Sequence, residues 1–139
     1  MKLFLDTSAL AKKYFINERG VEKVVARLAA ADSVIVSPIT RVEMYHAFNR
    51  VSKEGLLPAD GLQILVASLE EDWHYFDVVP WNSALEWGAV KVLEASALRS
   101  LDAVQLAAGI VSRPDIFCTA DRKLCLEARK YLGKVELIE

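Results

Sequence analysis

A chain of 139 residues, 53% of them hydrophobic, is long enough to bury one real core and too apolar to be disordered or collagen-like. Its 17 lysines and arginines against 19 aspartates and glutamates give a formal charge of −2, which argues against a histone-like binder without excluding nucleic acid. Apolar runs such as Leu3-Phe4-Leu5 and Val34-Ile35-Val36 fall far short of the roughly 18 residues that cross a bilayer, and Asp6 interrupts the only N-terminal stretch resembling a signal peptide. A soluble, cytoplasmic protein with no membrane contact is therefore expected. Cys118 and Cys125 are seven apart, which suits neither a CxxC pair nor a disulfide framework, so both read as buried small apolar residues.

Taken in chain order, β-branched or aromatic runs alternate with helical periods. The pattern predicts a strand at Lys2–Leu5, helices over Ser8–Tyr14 and Val21–Ala31, a strand at Val34–Val36 and a long helix from about Ile39 to Lys53. After a turn at Gly55–Gly61 carrying Pro58 come a helix over Leu62–Tyr75, a strand at Asp77–Val79, and helices over Ser83–Leu98 and Leu101–Ser112. A strand at Ile116–Cys118, a helix over Arg122–Leu132 and a strand at Val135–Ile138 close the order. No repeat, linker or low-complexity tract divides it, so residues 1–139 are read as one domain. Short strands separated by helices imply an α/β fold with a parallel sheet covered on both faces, whose ligands sit beyond the carboxyl ends of the strands.

The residues at those strand ends are acidic. Leu3-Phe4-Leu5 runs into Asp6-Thr7-Ser8, and Phe117-Cys118 into Thr119-Ala120-Asp121. Helix capping alone accounts for an Asp or Ser at such positions. Two strands each ending in an acid nevertheless bring like charges to one rim, which is unfavourable unless a cation or protons neutralise them. Glu43 lies on a helical stripe with Ile39, His46, Ala47 and Arg50, facing the packed side as much as water. Asp102 falls in the first turn of an Ala-rich helix, where the helix dipole also favours an acid. Together, Asp6, Glu43, Asp102 and Asp121 form a hard-oxygen set suited to Mg²⁺ or Mn²⁺. Zinc is disfavoured, since the two histidines and two cysteines lack its spacing.

Four segments carry a family resemblance: Leu5-Asp6-Thr7-Ser8-Ala9-Leu10-Ala11-Lys12, the Glu at 43, Leu98-Arg99-Ser100-Leu101-Asp102-Ala103-Val104-Gln105-Leu106-Ala107, and Phe117-Cys118-Thr119-Ala120-Asp121-Arg122-Lys123-Leu124. In this order they resemble the PIN-domain nucleases, and among them the VapC-type toxins of toxin–antitoxin pairs, over essentially the whole chain. The resemblance implies a three-layer α/β/α fold with a central, mostly parallel sheet of four to five strands. It also implies metal-dependent hydrolysis of RNA, with Asp6, Glu43, Asp102 and Asp121 as metal-binding catalytic carboxylates and Thr7, Ser8 and Thr119 as hydroxyls that steady them. A small antitoxin partner and a homodimer are implied as well.

Substrate contacts are expected from cations near these acids in sequence: Lys12, Arg41, Arg99 and Arg122, with Lys13, Arg50 and Lys123 beside them. His46, although three residues after Glu43, lacks the second copy that a di-iron site needs and is left out of the site. Trp73, Trp81 and Trp87 read as core or interface. Met44, Tyr45 and Phe48, with Leu56 and Leu57, suggest a surface for an antitoxin or a second subunit. Aspartate-based phosphatases would place Asp-x-Asp where this chain has Asp6-Thr7-Ser8, and a phospho-receiver would want a lysine after its last strand, whereas Lys134 precedes it. A solitary nuclease of RNA processing, or a non-catalytic RNA-binding scaffold, stays open as the alternative. The charge is unevenly spread: residues 54–90 hold seven acids and no lysine or arginine, while the rest holds all 17 bases and 12 acids.

Overall fold

The computed structural model describes residues 1–139. In chain order the elements are β1 (Lys2–Leu5), α1 (Thr7–Ala11), α2 (Val21–Ala30), β2 (Ser33–Val36), α3 (Thr40–Lys53), α4 (Gly61–Trp73), β3 (Phe76–Val78), α5 (Ser83–Ala95), α6 (Ser100–Ser112), β4 (Ile116–Thr119), α7 (Arg122–Ala128) and β5 (Val135–Leu137). The strands form one five-stranded sheet in the order β3-β2-β1-β4-β5, every neighbouring pair parallel. The sheet expected to be mostly parallel is entirely so, which the helix between each pair of strands makes possible.

Strand alternation divides the core. Leu3 and Leu5 point to one face, where they pack with Leu10, Val24, Met44, Phe48 and Leu69 from α1 to α4. Phe4 points to the other face, stacked on Phe117 at 4.9 Å and covered by Leu85, Val92, Leu106 and Leu124 from α5 to α7. Strands buried on both faces read as continuous apolar runs, as Leu3-Phe4-Leu5 and Ile116-Phe117-Cys118 do. Each such side chain contributes roughly 1.5–3 kcal/mol by leaving water. Close approach of α6 to β4 requires Gly109, because a Cβ there would lie 2.6 Å from the Phe117 ring.

Helix ends differ from the sequence pattern by a few residues, for local reasons. The first helix ends at Ala11 because the amides of Lys12, Lys13 and Tyr14 bond carbonyls three residues back, a tighter turn than α. Another stops at Ala95, where Ser96 turns extended and returns its hydroxyl to the Val92 carbonyl at 2.7 Å. Both cysteines are buried as expected, and burial pushes the Cys118 thiol up to about 12. One expectation needs correction. Met44 and Phe48 offer no partner surface: both are fully buried, with Tyr14 and Phe15 edge-on to Phe48. Of the tryptophans expected in core or interface, Trp73 packs edge-on to Phe76, while Trp81 and Trp87 lie outside the core on the chain's surface. No helix is long and apolar enough to cross a membrane.

Candidate active site

The parallel pairing of β1 with β4 sets Leu5 opposite Cys118, and the Asp6 amide donates to the Cys118 carbonyl at 3.1 Å. The two acidic strand ends are thereby fixed at one rim. Asp6 is the N-cap of α1, its Oδ1 accepting from the Ala9 amide at 2.8 Å. Ser8 donates to the same carboxylate at 2.8 and 2.9 Å, and Thr119 donates to Oδ2 at 2.5 Å. Those two hydroxyls are themselves anchored, Ser8 accepting from the Ala120 amide and Thr119 from the Asp121 amide. Asp121 caps α7 through the Leu124 amide at 3.0 Å. Both acids therefore do cap helices, and the same geometry sets their carboxylates at one rim of the sheet.

From the other elements, Glu43 projects off α3 and Asp102 off the first turn of α6 into the same cleft of about 240 Å³, together with Asp6 and Asp121. Burial pushes the Asp6 carboxyl up to about 6 against the pull of its Thr119, Ala9 and Ser8 hydrogen bonds, with Asp121 adding repulsion. Asp102 is also raised, by burial first, then by the charges of Asp121 and Glu43, while Arg99 and Lys123 oppose the shift. A cleft in which burial and neighbouring charge both work against ionised Asp6 and Asp102 is a focus for cations. No three of these side chains converge on one point at ligand distance. That arrangement still suits Mg²⁺, which keeps several waters and takes only one or two carboxylates directly.

Comparison with known proteins then decides the family. A PIN domain model matches residues 3–129. The chain belongs to the PIN-domain family. Its fold is similar to that of VapBC2 from Rickettsia felis bound to a promoter DNA fragment, with TM-score 0.69, 12% identity and 100% of each chain covered. It is similar also to FitAcB from Neisseria gonorrhoeae (TM-score 0.68, 16% identity, 96% of this chain and 95% of that one). A toxin-antitoxin complex from Klebsiella pneumoniae shares it as well (TM-score 0.63, 17% identity, 87% and 88%). At these identities the likeness is one of fold. Among the curated proteins none matches.

In this PIN domain the expected cations divide into two groups, apart from Arg50, which is exposed on α3 beside His46. Lys12 is held by Glu18 at 2.7 Å, Lys13 by Asp72, Arg41 by both oxygens of Glu70, and Arg122 by Glu139 at 2.9 Å. Arg99 and Lys123 instead act on Asp102, from the N-cap of α6 and the first turn of α7. His46 is exposed on α3 and does not line the cleft. Sequence reading gave no role to Thr40 or to Gln105, both buried beneath the acids. Gln105 donates from Nε2 to Glu43 at 2.8 Å, Thr7 at 2.9 Å and Thr40 at 3.0 Å, and Thr7 also donates to Glu43 at 2.8 Å. The available signal was a Gln three residues after Asp102 in an otherwise apolar helix face.

Proposed function

We propose that this PIN domain is a Mg²⁺- or Mn²⁺-dependent endoribonuclease and the toxin of a toxin–antitoxin pair. The observation that carries the reading is the cleft in which Asp6, Glu43, Asp102 and Asp121 arrive from four different elements, with Asp6 and Asp102 held above their ordinary carboxylate range. A divalent ion bound there supplies charge neutralisation for the scissile phosphate and acidifies a bound water. The chain's own part is positioning. Asp6, clamped by Ser8, Thr119 and the Ala9 amide, has no rotational freedom and is the fixed ligand. Asp102 and Asp121 flank it, one as the second direct ligand and the other through the ion's waters, and Glu43, gripped on one oxygen, would hold the attacking water or ligate in their place. Arg99 and Lys123, whose charges act on Asp102, are the cations proposed to meet an RNA phosphate, Lys123 while its Nζ also donates to the Ala97 carbonyl at 2.8 Å.

The antitoxin part rests on the fold likeness to a toxin-antitoxin complex and on a groove of about 330 Å³. Tyr14, Phe15, Ile16, Leu56, Leu57 and Leu65 line it, with Ile16 and Leu56 left exposed. An apolar surface of this kind suits a helix or strap of a small partner protein. Homodimerisation belongs to the same proposal.

The test is RNA cleavage by purified protein with Mg²⁺ or Mn²⁺. Activity is expected to vanish with EDTA and in Asp6→Asn and Asp102→Asn, each still folded by circular dichroism. Equal cleavage by Asp6→Asn, or indifference to EDTA, overturns the assignment. A small open reading frame directly upstream is expected to encode the antitoxin, and its absence favours a solitary nuclease.

A further inference from the structure

Beneath the acidic cleft lies a buried amide whose hydrogen-bond accounting does not close. Gln105 is 2% exposed, and its Nε2 has two hydrogens for three acceptors: Glu43 Oε1, Thr7 Oγ1 and Thr40 Oγ1, all within 3.0 Å. Its carbonyl oxygen is buried and has no partner. The amide cannot be reversed, because that would set the carbonyl against the Glu43 carboxylate, two acceptors facing each other. A side chain kept only to fill space would be Met or Leu, which fit the same helix face without orphaning a polar atom. An amide retained with its oxygen unsatisfied points to what its nitrogen does.

That nitrogen acts on one atom of the site. Glu43 Oε1 collects two donors, the Thr7 hydroxyl and the Gln105 amide, which lock the rotamer of a side chain that would otherwise swing on three torsions. Both donors belong to elements that also carry cleft acids: Thr7 follows Asp6, and Gln105 lies one turn after Asp102 on α6. Oε2 receives no protein donor and is the oxygen left for the cleft. Thr40, in the first turn of α3, gives the amide a second anchor on the helix that bears Glu43. We propose that Gln105 is a positioning residue: through Nε2 it orients Glu43 so that Oε2, and not Oε1, meets the metal or its water. The inference rests on the nuclease reading and adds to it a residue that touches neither substrate nor ion. Outer-shell partners of this kind are worth 10–100-fold in metal affinity or activity.

The experiment compares the wild type, Gln105→Met, Glu43→Ala and the double variant in RNA cleavage and in Mn²⁺ titration without RNA, with thermal melts as a fold check. Gln105→Met is expected to lower kcat about 10–100-fold or to weaken Mn²⁺ binding about tenfold. KM for RNA should stay within about threefold, as befits a side chain 2% exposed in the cleft wall that acts through Glu43. In the Glu43→Ala background the same substitution should change neither quantity by more than about twofold, since there is no carboxylate left to orient. A purely structural Gln105 would give equal losses in both backgrounds, and that result overturns the proposal. So does a Gln105→Met protein with wild-type kcat and Mn²⁺ affinity. If the wild type cleaves and binds Mn²⁺ in either case, only the role of Gln105 falls; if it does neither, the nuclease reading falls and takes this role with it. Should Gln105→Met fail to fold, Gln105→Asn keeps the polarity but is too short to reach Glu43, and the same pair of outcomes decides.

Discussion

Replacing Asp6 with Asn tests whether the cleft holds charge at the expense of the fold. Burial raises the Asp6 carboxyl from 3.8 to about 6. A shift of about 2 units corresponds to about 3 kcal/mol. Because the folded state binds this proton more tightly than the unfolded state, ionised Asp6 opposes folding. The penalty is absent well below pH 4, grows between about pH 4 and 6, and is complete above that. Asn is neutral at every pH. It keeps an oxygen for the Ala9 amide but gives up the Thr119 bond at 2.5 Å and part of the Ser8 contact, worth about 1–2 kcal/mol. In EDTA at pH 7.5, Asp6→Asn should therefore be about 1–2 kcal/mol more stable than the wild type. At pH 4.5 the wild-type penalty shrinks by about 2 kcal/mol and the difference should close or reverse. Urea titrations followed by circular dichroism at the two pH values measure both quantities. A variant less stable than the wild type at pH 7.5, or a difference that does not move with pH, would refute the reasoning.

Gly109→Ala drives a Cβ into the rigid Phe117 ring at 2.6 Å and should destabilise by about 3 kcal/mol, lowering Tm by roughly 10 °C in a thermal melt. Arg99→Ala should raise KM for RNA several-fold, whereas Arg41→Ala and Arg122→Ala, whose guanidinium groups are already engaged by Glu70 and Glu139, should leave it within about twofold; the reverse order in steady-state kinetics would reject the placement of the phosphate. Arg50 and Lys53 lie exposed on α3 with His46 and make no ion pair, so the Arg50→Ala, Lys53→Ala double variant should flatten the salt dependence of single-stranded RNA binding by about 1.4 in the log–log slope, read by fluorescence anisotropy.

What the sequence conveyed follows from what is local. All five strands lie within a residue or two of their patterns, because β-branched and aromatic runs such as Val34-Ile35-Val36 have few other ways to bury themselves. The acids were legible because strand ends and helix starts are local positions, and a parallel sheet converts those positions into a shared rim. Gln105 and Thr40 were not, since their roles depend on three helices meeting, and a lone polar residue in an apolar face carries no periodic signal. The side of α3 was misread for a similar reason. Met44 and Phe48 look surplus on one helix until Tyr14 and Phe15 are brought against them by the turn after α1.

Charge shows the same limit in a form that matters for binding. The block from residue 54 to residue 90 is uniformly acidic in sequence, which suggests a strip left free for a basic partner. In the fold, two of its seven acids are spent internally: Glu70 on Arg41 and the Tyr45 hydroxyl, Asp72 on Lys13 and the Tyr14 hydroxyl. The same pairings withdraw Arg41 and Lys13 from the cations that sequence proximity offered to RNA. Glu54, Asp60, Glu71, Asp77 and Glu86 remain exposed, but they are spread from the C-cap of α3 through α4 and β3 to α5 and not gathered into one strip. Near the cleft, the positive charge left to act is that of Arg99 and Lys123, at the starts of α6 and α7. Net charge and its spread along the chain could not separate these groups, because an ion pair between residues 41 and 70 leaves both sums unchanged while each charge partly offsets the other toward any partner.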